Sequence, residues 1–296
     1  MKVLLLGSSG MLGSDCKLVL EKEGQVVAPE RKALDIVSWD RVIETMQRVN
    51  PDVVVNCAAF TDVDACETER VVVRKVNVEG ARNLAQGSAR FEANLVHISS
   101  DHVYNGFKPI PQPYFEDDSV DPLCEYGMSK VYSETAVREN APRYVILRTG
   151  WLYGRRGGSF VHEILSKALA GRKRQRIQVV DDQFGSPTWT LRLAYQIREM
   201  IRHDTHGTYH ATAEGYCSRL EFARAILEKL QIKADLEPVK SDSLPLPARR
   251  PKNCILENRL LKKQGIHLMQ DWRRDLDIFL DRFGDELIKE ARKKAK

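Results

Sequence analysis

A tyrosine and a lysine one helical turn apart form the residue pair best suited to chemistry in this sequence. Tyr126 and Lys130 stand four positions apart in EYGMSK (125–130). On a helix, positions i and i+4 share a face, so the two side chains would point the same way. A phenol has a pKa of about 10 and exchanges protons poorly at neutral pH, but a neighbouring ammonium favours the phenolate and lowers that pKa. The spacing therefore predicts Tyr126 and Lys130 as a catalytic acid–base pair.

Hydroxyl and carboxyl groups follow an apolar segment upstream of this pair. LVHIS (95–99) is typical of a buried strand, and Ser99, Ser100 and Asp101 stand at its carboxyl end. Open α/β sheets bind their ligands at the carboxyl ends of their strands. A serine in such a place either forms a turn or hydrogen-bonds a substrate carbonyl beside the tyrosine. We predict Ser100 as a catalytic and substrate-binding residue and Asp101 as a further substrate contact.

Three glycines near the start of the chain have a spacing that suits a phosphate group. GSSGMLG (7–13) follows the apolar segment KVLLL (2–6) and begins a helical pattern near 11–23. In this context one glycine permits a tight turn, one lets the backbone approach a pyrophosphate, and one lets helix and strand pack closely. The helix amino terminus adds free N–H groups and a partial positive charge. A glycine-rich turn without a ligand is the alternative, and the flanking elements favour a dinucleotide site.

The choice between NAD and NADP depends on charged residues after the second predicted strand, QVVAP (25–29). Glu30 can accept a hydrogen bond from a ribose 2′-hydroxyl, which favours NAD. Arg31 and Lys32 can hold a 2′-phosphate, which favours NADP, and a solvated charge cluster is the third possibility. Asp35 can hydrogen-bond near the adenine. We expect NADPH or NADH, with a slight preference for NADPH.

Short apolar segments alternate with longer amphipathic segments through the first half of the chain. This alternation indicates parallel βαβ units, and therefore an α/β fold with a doubly wound, Rossmann-type parallel sheet. We predict a dinucleotide-binding domain over 1–150 plus about 186–206. A smaller C-terminal α/β region over 151–185 and 207–296 would bind the substrate. The Pro-rich segment SDSLPLPARRP (241–251) is predicted to be a loop over the site.

The composition is that of a globular protein. Of 296 residues, 43% are hydrophobic and 29% are charged, and the net charge is +5. The turn GRKRQR (171–176) and the tail IKEARKKAK (288–296) each carry +4, so the remaining chain is at −3. Positive charge confined to two short runs does not form a groove for nucleic acid, so we expect no nucleic-acid partner. No apolar run approaches the ~18 residues of a membrane span, so we expect no membrane partner either.

The cysteines and the first residues bear on the cellular compartment. None of the six cysteines forms a C-x-x-C pair, so free thiols are the expected state. The apolar stretch of MKVLLLGSSG (1–10) is shorter than the core of a secretory signal and is predicted to be the first strand. Both observations favour a cytoplasmic protein.

Motifs from the first residues to beyond 250 give the chain a family resemblance. The glycine loop, a serine at the end of a later strand and Y-x-x-x-K resemble the extended short-chain dehydrogenase/reductases. More narrowly, the chain resembles the dTDP-4-dehydrorhamnose reductase family. The segments that match in the family's order are GSSGMLG (7–13), NCAAFTDVDACE (56–67), VNVEGARNLA (76–85), ISSDHVYNG (98–106), DPLCEYGMSK (121–130), LRTGWLYG (147–154), VVDDQFGSPT (179–188), GTYHATAEG (207–215) and RRPKNCIL (249–256).

The resemblance implies a role for each matching residue. Tyr126 would donate a proton to the sugar C4 oxygen, Lys130 would bind the nicotinamide ribose, and Ser100 would polarise the C4 carbonyl. Trp151 would pack against the sugar. Arg249 either binds the substrate diphosphate, for which arginine is well suited, or is a solvated loop residue. The expected cofactor contacts are Gly7, Gly10, Met11, Leu12 and Gly13 at the pyrophosphate, Glu30, Arg31, Asp35 and Ile36 around the adenosine, Ala58, Ala59 and Phe60 along the cofactor's path, and Tyr126 and Lys130.

The resemblance also implies an activity. The enzyme would reduce the C4 keto group of dTDP-4-dehydro-L-rhamnose to dTDP-L-rhamnose with NAD(P)H, as a monomer or homodimer with a dTDP-sugar as substrate. Two alternatives remain open: a different nucleotide-sugar reductase or epimerase, and a non-catalytic regulatory subunit with the same fold.

A metal site is not expected. Some relatives hold Mg²⁺ at a dimer interface through acidic side chains from the first helix and from just after the G-x-P-T motif. Asp15 can supply the first ligand, but the second position is Leu191, which cannot ligate a metal. The histidines of HDTHGTYH (203–210) come without an H-E-x-x-H motif.

Overall fold

The structure, a computed structural model, describes residues 1–170 and 176–294. Its strands in chain order are β1 (Lys2–Leu6), β2 (Gln25–Val27), β3 (Val53–Asn56), β4 (Asn94–Ser100), β5 (Tyr144–Thr149), β6 (Leu152–Tyr153), β7 (Ile177–Val180), β8 (Phe184–Gly185), β9 (Thr188–Trp189), β10 (Gly207–His210), β11 (Cys217–Ser218), β12 (Leu236–Val239) and β13 (Asn253–Cys254). Six of them form a parallel sheet in the order β10–β5–β4–β3–β1–β2. This sheet confirms the predicted doubly wound fold.

Helices cover both faces of the main sheet and build the second region. They are α1 (Met11–Leu20), α2 (Trp39–Val49), α3 (Val63–Thr68), α4 (Arg70–Val73), α5 (Gly80–Arg90), α6 (Glu125–Asn140), α7 (Phe160–Leu169), α8 (Thr190–Arg202), α9 (Arg219–Lys229), α10 (Arg259–Lys263) and α11 (Trp272–Lys294). A π-helix (Arg74–Glu79) joins α4 to α5, and 3₁₀ turns occur at Asp101–Val103 and Ser241–Ser243.

The alternation of side chains along β1 explains why its sequence is apolar throughout. Val3 and Leu5 pack in the core on the α1 and α8 side, whereas Leu4 and Leu6 pack in the core on the α2 and α5 side. Successive residues of a strand point to opposite faces, so a strand with both faces covered must be apolar at every position. The core therefore lies in two layers, one on each side of the sheet, and the carboxyl ends of the strands remain open for ligands.

A smaller second region follows the main sheet. β11 and β13 flank β8, β12 pairs with β7, and α7, α9 and α11 pack together around them. One predicted boundary is wrong: β10 (Gly207–His210) pairs with β5 in the main sheet, although 207 was predicted to begin the second part of the substrate region. Its four residues, GTYH, form no continuous apolar run, so a coarse division of the chain does not reveal that β10 extends the sheet at an edge. The rest of the domain division stays a prediction.

Three simpler predictions concern membranes, thiols and charge. Within the described part of the chain, no helix is long and apolar enough to cross a membrane. All six cysteines are free thiols, as predicted. Most of the basic turn (171–176) and the end of the tail (288–296) lie outside the described residues, so the predictions about them remain predictions.

Candidate active site

The glycine loop between β1 and α1 forms a cradle whose walls are backbone atoms. Gly7 has a φ of +75°, and a Cβ on it would lie 2.7 Å from the amide nitrogen of Ala58. A Cβ on Gly13 would lie 2.0 Å from the carbonyl oxygen of Gly7. Gly10 precedes the first residue of α1 and offers no capping side chain, so the first amides of the helix stay available. A cradle of this kind fits a pyrophosphate.

The two other predicted pyrophosphate contacts differ in where their side chains lie. Leu12 is buried in the core, so only its backbone can face a ligand. The Met11 side chain fills the space beside Gly154, where an added Cβ would lie 2.9 Å from Met11 Cγ. Met11 therefore packs the glycine loop against the chain segment that follows β6.

Gly13→Ala is expected to abolish tight cofactor binding. The added methyl group would overlap the Gly7 carbonyl at 2.0 Å, and that atom belongs to the backbone, so the loop itself must move. Overpacking of this kind costs about 1–3 kcal/mol of stability. Thermal unfolding and NADP⁺ titration of the variant test the prediction. Gly158→Ala is the matched control, because a Cβ there meets nothing within 4 Å, and it should change neither quantity. Unaltered NADP⁺ affinity in Gly13→Ala would contradict the prediction.

The residues predicted to surround the adenosine follow β2. Glu30 and Arg31 are exposed there, and the Glu30 carbonyl closes a turn by accepting the amide of Leu34 at 3.0 Å. Asp35 is exposed and its carboxylate accepts the amide of Val37 at 3.1 Å. Ile36 is buried, so it can offer apolar contact only through a small part of its surface. These residues share one edge of the sheet with the glycine cradle.

The segment after β3, where the cofactor's path is predicted, is held in place by two asparagines. Asn56 Oδ1 accepts the amide of Ala58 at 3.0 Å. Asn77, on the π-helix, accepts the amide of Phe60 at 2.7 Å and donates to the Phe60 carbonyl at 3.0 Å. The Asn77 amide also donates to Ser129 Oγ at 2.9 Å. The predicted cofactor path, including Ala59 between the two anchored residues, is thereby fixed to α6.

A second chain of hydrogen bonds connects the same segment to α6 through a histidine. The Asn56 amide bonds His97 Nδ1 at 3.2 Å, His97 Nε2 bonds Ser133 Oγ at 2.9 Å, and Ser133 donates to the Lys130 carbonyl at 2.8 Å. Burial lowers the pKa of His97 to about 3, so its ring is neutral. Since the Asn56 amide is a donor, the proton of the neutral ring lies on Nε2.

Tyr126 and Lys130 lie on the face of α6 that is directed to the sheet, as their spacing predicts. Glu134 continues this row one turn further on. Its carboxylate accepts the hydroxyl of Ser99 at 2.6 Å and two N–H groups of Arg148 at 2.9 and 2.7 Å. A buried ion pair to β5 and a hydrogen bond to β4 therefore set the position of the helix that carries the two predicted catalytic residues.

Burial shifts the pKa values of both residues. It lowers the pKa of Lys130 to about 8, against the opposing effect of the Glu134 carboxylate. It raises the pKa of Tyr126 above the usual 10, and the hydrogen bond with Ser100 only partly offsets this. In the protein alone the direction for Tyr126 is therefore opposite to the predicted lowering, because the loss of water dominates and the neighbouring Asp101 raises the pKa further. The phenol stays protonated at neutral pH, as a proton donor must.

Ser100 lies at the carboxyl end of β4 beside Tyr126, as predicted. Its hydroxyl donates to Asp101 Oδ1 at 2.9 Å, and its oxygen accepts the amide of His102 at 3.2 Å. Because a serine has one proton, the hydroxyl must rotate away from Asp101 before it can donate to a ligand. Asp101 is 2% exposed and its other oxygen has no partner among the described residues. The Asp101 side chain is buried and bonds Ser100, so little of its surface is available to a substrate. Its substrate contact stays a prediction.

A cleft of about 920 Å³ is lined by residues 61–64 after β3 and by residues of the second region, and Ser100, Tyr126 and Lys130 are not among its lining residues. Trp151 and Arg219 form part of its wall, and Gly150, which precedes Trp151, packs against the carboxylate of Asp101. Trp151 is only 9% exposed, because its ring packs against Gly185 and the Arg219 guanidinium carbon lies 3.5 Å from the ring centre. The sugar contact of Trp151 stays a prediction, and in this structure Arg219 covers part of the Trp151 ring in the cleft wall.

The Pro-rich loop over 241–251 borders this cleft, as predicted. Leu244, Leu246 and Arg250 line it. Arg249 is exposed and lines an adjoining cavity of about 300 Å³, which shares Leu244, Leu246 and Arg250 with the larger cleft. Arg250 is occupied by Asp64, at 2.7 Å. The structure thus does not bring Arg249 to the larger cleft.

Three residues of the site escaped the sequence analysis. Asn77 and Glu134 act through buried hydrogen bonds to segments far away in the chain, which no local pattern reveals. A signal existed for Glu134, because it continues the i, i+4 spacing of Tyr126 and Lys130. Arg219 follows a strand and begins α9, and nothing in its surroundings in the sequence indicates that it faces a cleft.

The proposed first metal ligand of some relatives has a different partner here. The carboxylate of Asp15 accepts the hydroxyl of Thr190 at 2.6 Å, and the neighbouring Leu191 is buried. Burial raises the pKa of Asp15. In the described ranges, no group of three or more His, Cys, Asp or Glu side chains is arranged to hold a metal ion.

Comparison with known proteins relates the chain to a family of nucleotide-sugar enzymes. It is 37% identical to a spore coat polysaccharide biosynthesis protein, SpsK, from Bacillus subtilis, over 94% of this chain and 96% of that protein. It is 34% identical to a dTDP-4-dehydrorhamnose reductase from Burkholderia thailandensis, over 92% and 96% of the two chains. The crystal structure of a dTDP-4-dehydrorhamnose reductase from Bacillus anthracis in complex with NADP superposes with a TM-score of 0.90 at 35% identity, over 95% of this chain and 99% of that one.

These matches confirm the predicted relation to the dTDP-4-dehydrorhamnose reductases, and with it the prediction of an oxidoreductase. The family described as RmlD substrate binding domain matches residues 1–284, which is nearly the whole chain. The chain belongs to this family.

Proposed function

We propose that this protein reduces the C4 keto group of dTDP-4-dehydro-L-rhamnose to dTDP-L-rhamnose with a reduced nicotinamide cofactor, NADPH in preference to NADH. The observation that carries the proposal is the arrangement of Tyr126, Lys130 and Ser100 at the carboxyl ends of the strands, on the same edge of the sheet as the glycine cradle. The names of the relatives support the substrate, and the NADP complex of one of them supports the cofactor.

The residues present fit a dinucleotide. Gly7 and Gly13 let the loop fold tightly against the backbone of Ala58 and of Gly7 itself, which no side chain would allow, and α1 directs its free amides to the loop, where a pyrophosphate would bind. Glu30 and Arg31 would bind the adenosine ribose, and Asp35 would approach the adenine. The segment Ala58–Phe60 would follow the cofactor towards Tyr126. When bound, the nicotinamide supplies the hydride for C4 of the sugar.

The chain's own residues manage the proton and the orientation. Tyr126 donates its phenolic proton to the C4 oxygen of the sugar, and its raised pKa keeps that proton in place at neutral pH. Ser100 rotates from Asp101 to hydrogen-bond the same oxygen or the phenolate that Tyr126 becomes. Lys130 binds ribose hydroxyls and stabilises the phenolate by its charge. Fixed orientation of sugar and cofactor in the cleft supplies much of the acceleration.

The test follows the loss of NADPH absorbance with dTDP-4-dehydro-L-rhamnose. We expect turnover with this substrate and at least tenfold lower kcat/KM with a UDP-4-keto sugar, a difference of about 1.4 kcal/mol in binding of the transition state. Equal turnover of both would favour another nucleotide-sugar reductase. No oxidation with any keto sugar, together with a stoichiometric protein partner on purification, would favour a regulatory subunit.

The charged residues after β2 give a direct test of cofactor choice. Arg31→Gln should raise KM for NADPH about tenfold and leave KM for NADH unchanged, because a charge-assisted hydrogen bond to the 2′-phosphate is lost. Glu30→Gln is the matched opposite change and should weaken NADH alone. Steady-state kinetics of the two variants with NADPH and with NADH decide which cofactor the enzyme prefers. An equal effect of Arg31→Gln on both cofactors would show that it does not meet the 2′-phosphate.

The remaining expectations are part of the same proposal. We infer a cytoplasmic protein, which the six free thiols support. It would act as a monomer or homodimer without a bridging metal, since Leu191 offers no ligand. Its partner would be the dTDP-sugar rather than nucleic acid.

A further inference from the structure

Arg219 is a cation that lines the cleft and forms no ion pair with the described residues. It is the first residue of α9, after Ser218 caps the helix through the amide of Glu221 at 3.0 Å. Its guanidinium lies over Trp151, with Phe160 at 5.2 Å. Among the described residues, neither a hydrogen-bond acceptor nor a carboxylate within ion-pair distance meets the guanidinium.

The acidic side chains of Asp62, Asp64 and Glu163 border the same cleft, and each already has a partner among the described residues. Asp64 is paired with Arg250 at 2.7 Å, and Glu163 with Lys167 at 2.6 Å. Asp62 accepts the amide of Ala65 at 3.0 Å as the cap of α3. These engagements leave Arg219 without a carboxylate within ion-pair distance among the described residues.

The contact with Trp151 fixes which atoms of Arg219 a ligand can reach. A separation of 3.5 Å between the guanidinium carbon and the ring centre is a van der Waals contact, so the planar group must lie flat on the indole. The N–H groups lie in that plane and point outwards from the stack. Part of the side chain is exposed, so this edge is accessible from the cleft.

The effect of burial on the pKa of Arg219 indicates that its guanidinium is poorly hydrated. Burial lowers the pKa of Arg219, and the Asp101 and Cys254 side chains only partly oppose it. A partly desolvated guanidinium with unused donors binds an anion more strongly than a solvated one. Arg219 lies on Trp151, and the preceding Gly150 packs against the Asp101 carboxylate that bonds Ser100, so this donor edge lies on the side of the proposed reaction centre.

We propose that Arg219 binds the diphosphate of the nucleotide-sugar substrate and, through that contact, orients the hexose towards Ser100 and Tyr126. The proposal rests on the proposed function, because it takes the anion to be the diphosphate of that substrate. It gives Arg219 the place that the sequence analysis gave to Arg249. A diphosphate matches the planar fork of donors, since two oxygens can bind side by side.

The test is calorimetric titration of the NADP⁺-saturated protein with dTDP. Arg219→Gln should weaken dTDP binding by about tenfold or more, because a charge-assisted contact is lost. Arg219→Lys keeps the positive charge but lacks the planar pair of donors, so its dTDP affinity should lie between those of the parent and Arg219→Gln. Added salt should weaken dTDP binding less in Arg219→Gln than in the parent, which a purely structural effect would not cause.

Arg273→Gln is the matched control. Arg273 also lies over a tryptophan, 4.8 Å from the Trp272 ring, but it is exposed and outside the cleft, so dTDP affinity should not change. If both Arg219 variants bind dTDP within twofold of the parent, the inference is overturned and the proposed function stands. If the parent binds neither dTDP nor UDP, both are overturned.

Discussion

Tyr126→Phe should lower kcat by about a hundredfold to ten-thousandfold, the usual contribution of a positioned general acid. The phenol lies beside Ser100, and its pKa is raised by burial so that the proton is present at neutral pH. Phenylalanine keeps the ring and its edge-to-face contact with His102, whose ring centre lies 5.6 Å away. Stopped assays with dTDP-4-dehydro-L-rhamnose and NADPH, together with NADP⁺ titration, separate lost chemistry from lost binding.

The control lies on the same helix. Tyr132 is 55% exposed, so Tyr132→Phe removes an identical hydroxyl without altering the site and should leave kcat unchanged. NADP⁺ affinity should stay within twofold in both variants. Turnover of Tyr126→Phe within a few-fold of the parent, with NADP⁺ binding intact, would remove Tyr126 from the role of acid.

The pH dependence of the parent enzyme should follow the charge of Lys130. Burial lowers the pKa of Lys130 to about 8, so its charge is present below that pH and is lost above it. The activity that depends on this charge should therefore fall as the pH rises through about 8. Tyr126, with its raised pKa, should not limit kcat in that range.

The main sheet was predictable because its signals are local. β1, β3 and β4 are short apolar runs separated by amphipathic segments, and the glycine loop marks the first turn between strand and helix. The edge strand β10 was assigned to the wrong region because its pairing with β5 is between residues more than fifty positions apart. Register across a sheet depends on such tertiary contacts, which a single sequence does not display.

The site was predictable where a spacing or a loop carries the chemistry. Tyr126 and Lys130 share a helical face because they are four residues apart, and Gly7 needs a positive φ in a tight turn. What sets their environment was not predictable. The direction of the Tyr126 pKa shift depends on burial, and the lining of the larger cleft by Arg219 but not by Arg249 depends on the path of α9 and the Pro-rich loop.

Arg148→Met should cost about 3–5 kcal/mol of unfolding free energy, because it leaves a buried carboxylate without its main partner. The side chains of Arg148 and Glu134 are 4% and 1% exposed. Arg148 donates to both oxygens of Glu134 and also to the Tyr104 hydroxyl at 2.7 Å. Only Ser99 and the half-exposed Arg138 would remain for the carboxylate, and the helix that carries Tyr126 would lose its anchor on β5.

The pH dependence of stability separates this cause from a simple loss of packing. In the parent, Arg148 and the other partners hold the pKa of Glu134 at about 2, below its ordinary 4.5. Its contribution to stability is therefore present above pH ~4.5 and is lost as the pH falls towards 2. In Arg148→Met the carboxylate is buried with too few partners, so its pKa should rise above the ordinary value. The deficit of the variant should then shrink as the pH is lowered from 8 to 5.

Urea unfolding of four proteins at pH 8 and pH 5 measures these effects. Arg148→Met should show a large drop in the midpoint at pH 8 and a smaller one at pH 5. The double variant Glu134→Leu, Arg148→Met should recover most of the loss, since replacing both partners of a buried pair by apolar residues costs far less than removing one. Arg155→Met breaks an ion pair with Glu286 whose side chains are 55% and 43% exposed, and it should leave the midpoint where it is. A double variant as unstable as Arg148→Met would mean that volume, rather than the stranded charge of Glu134, makes Arg148 necessary to the fold.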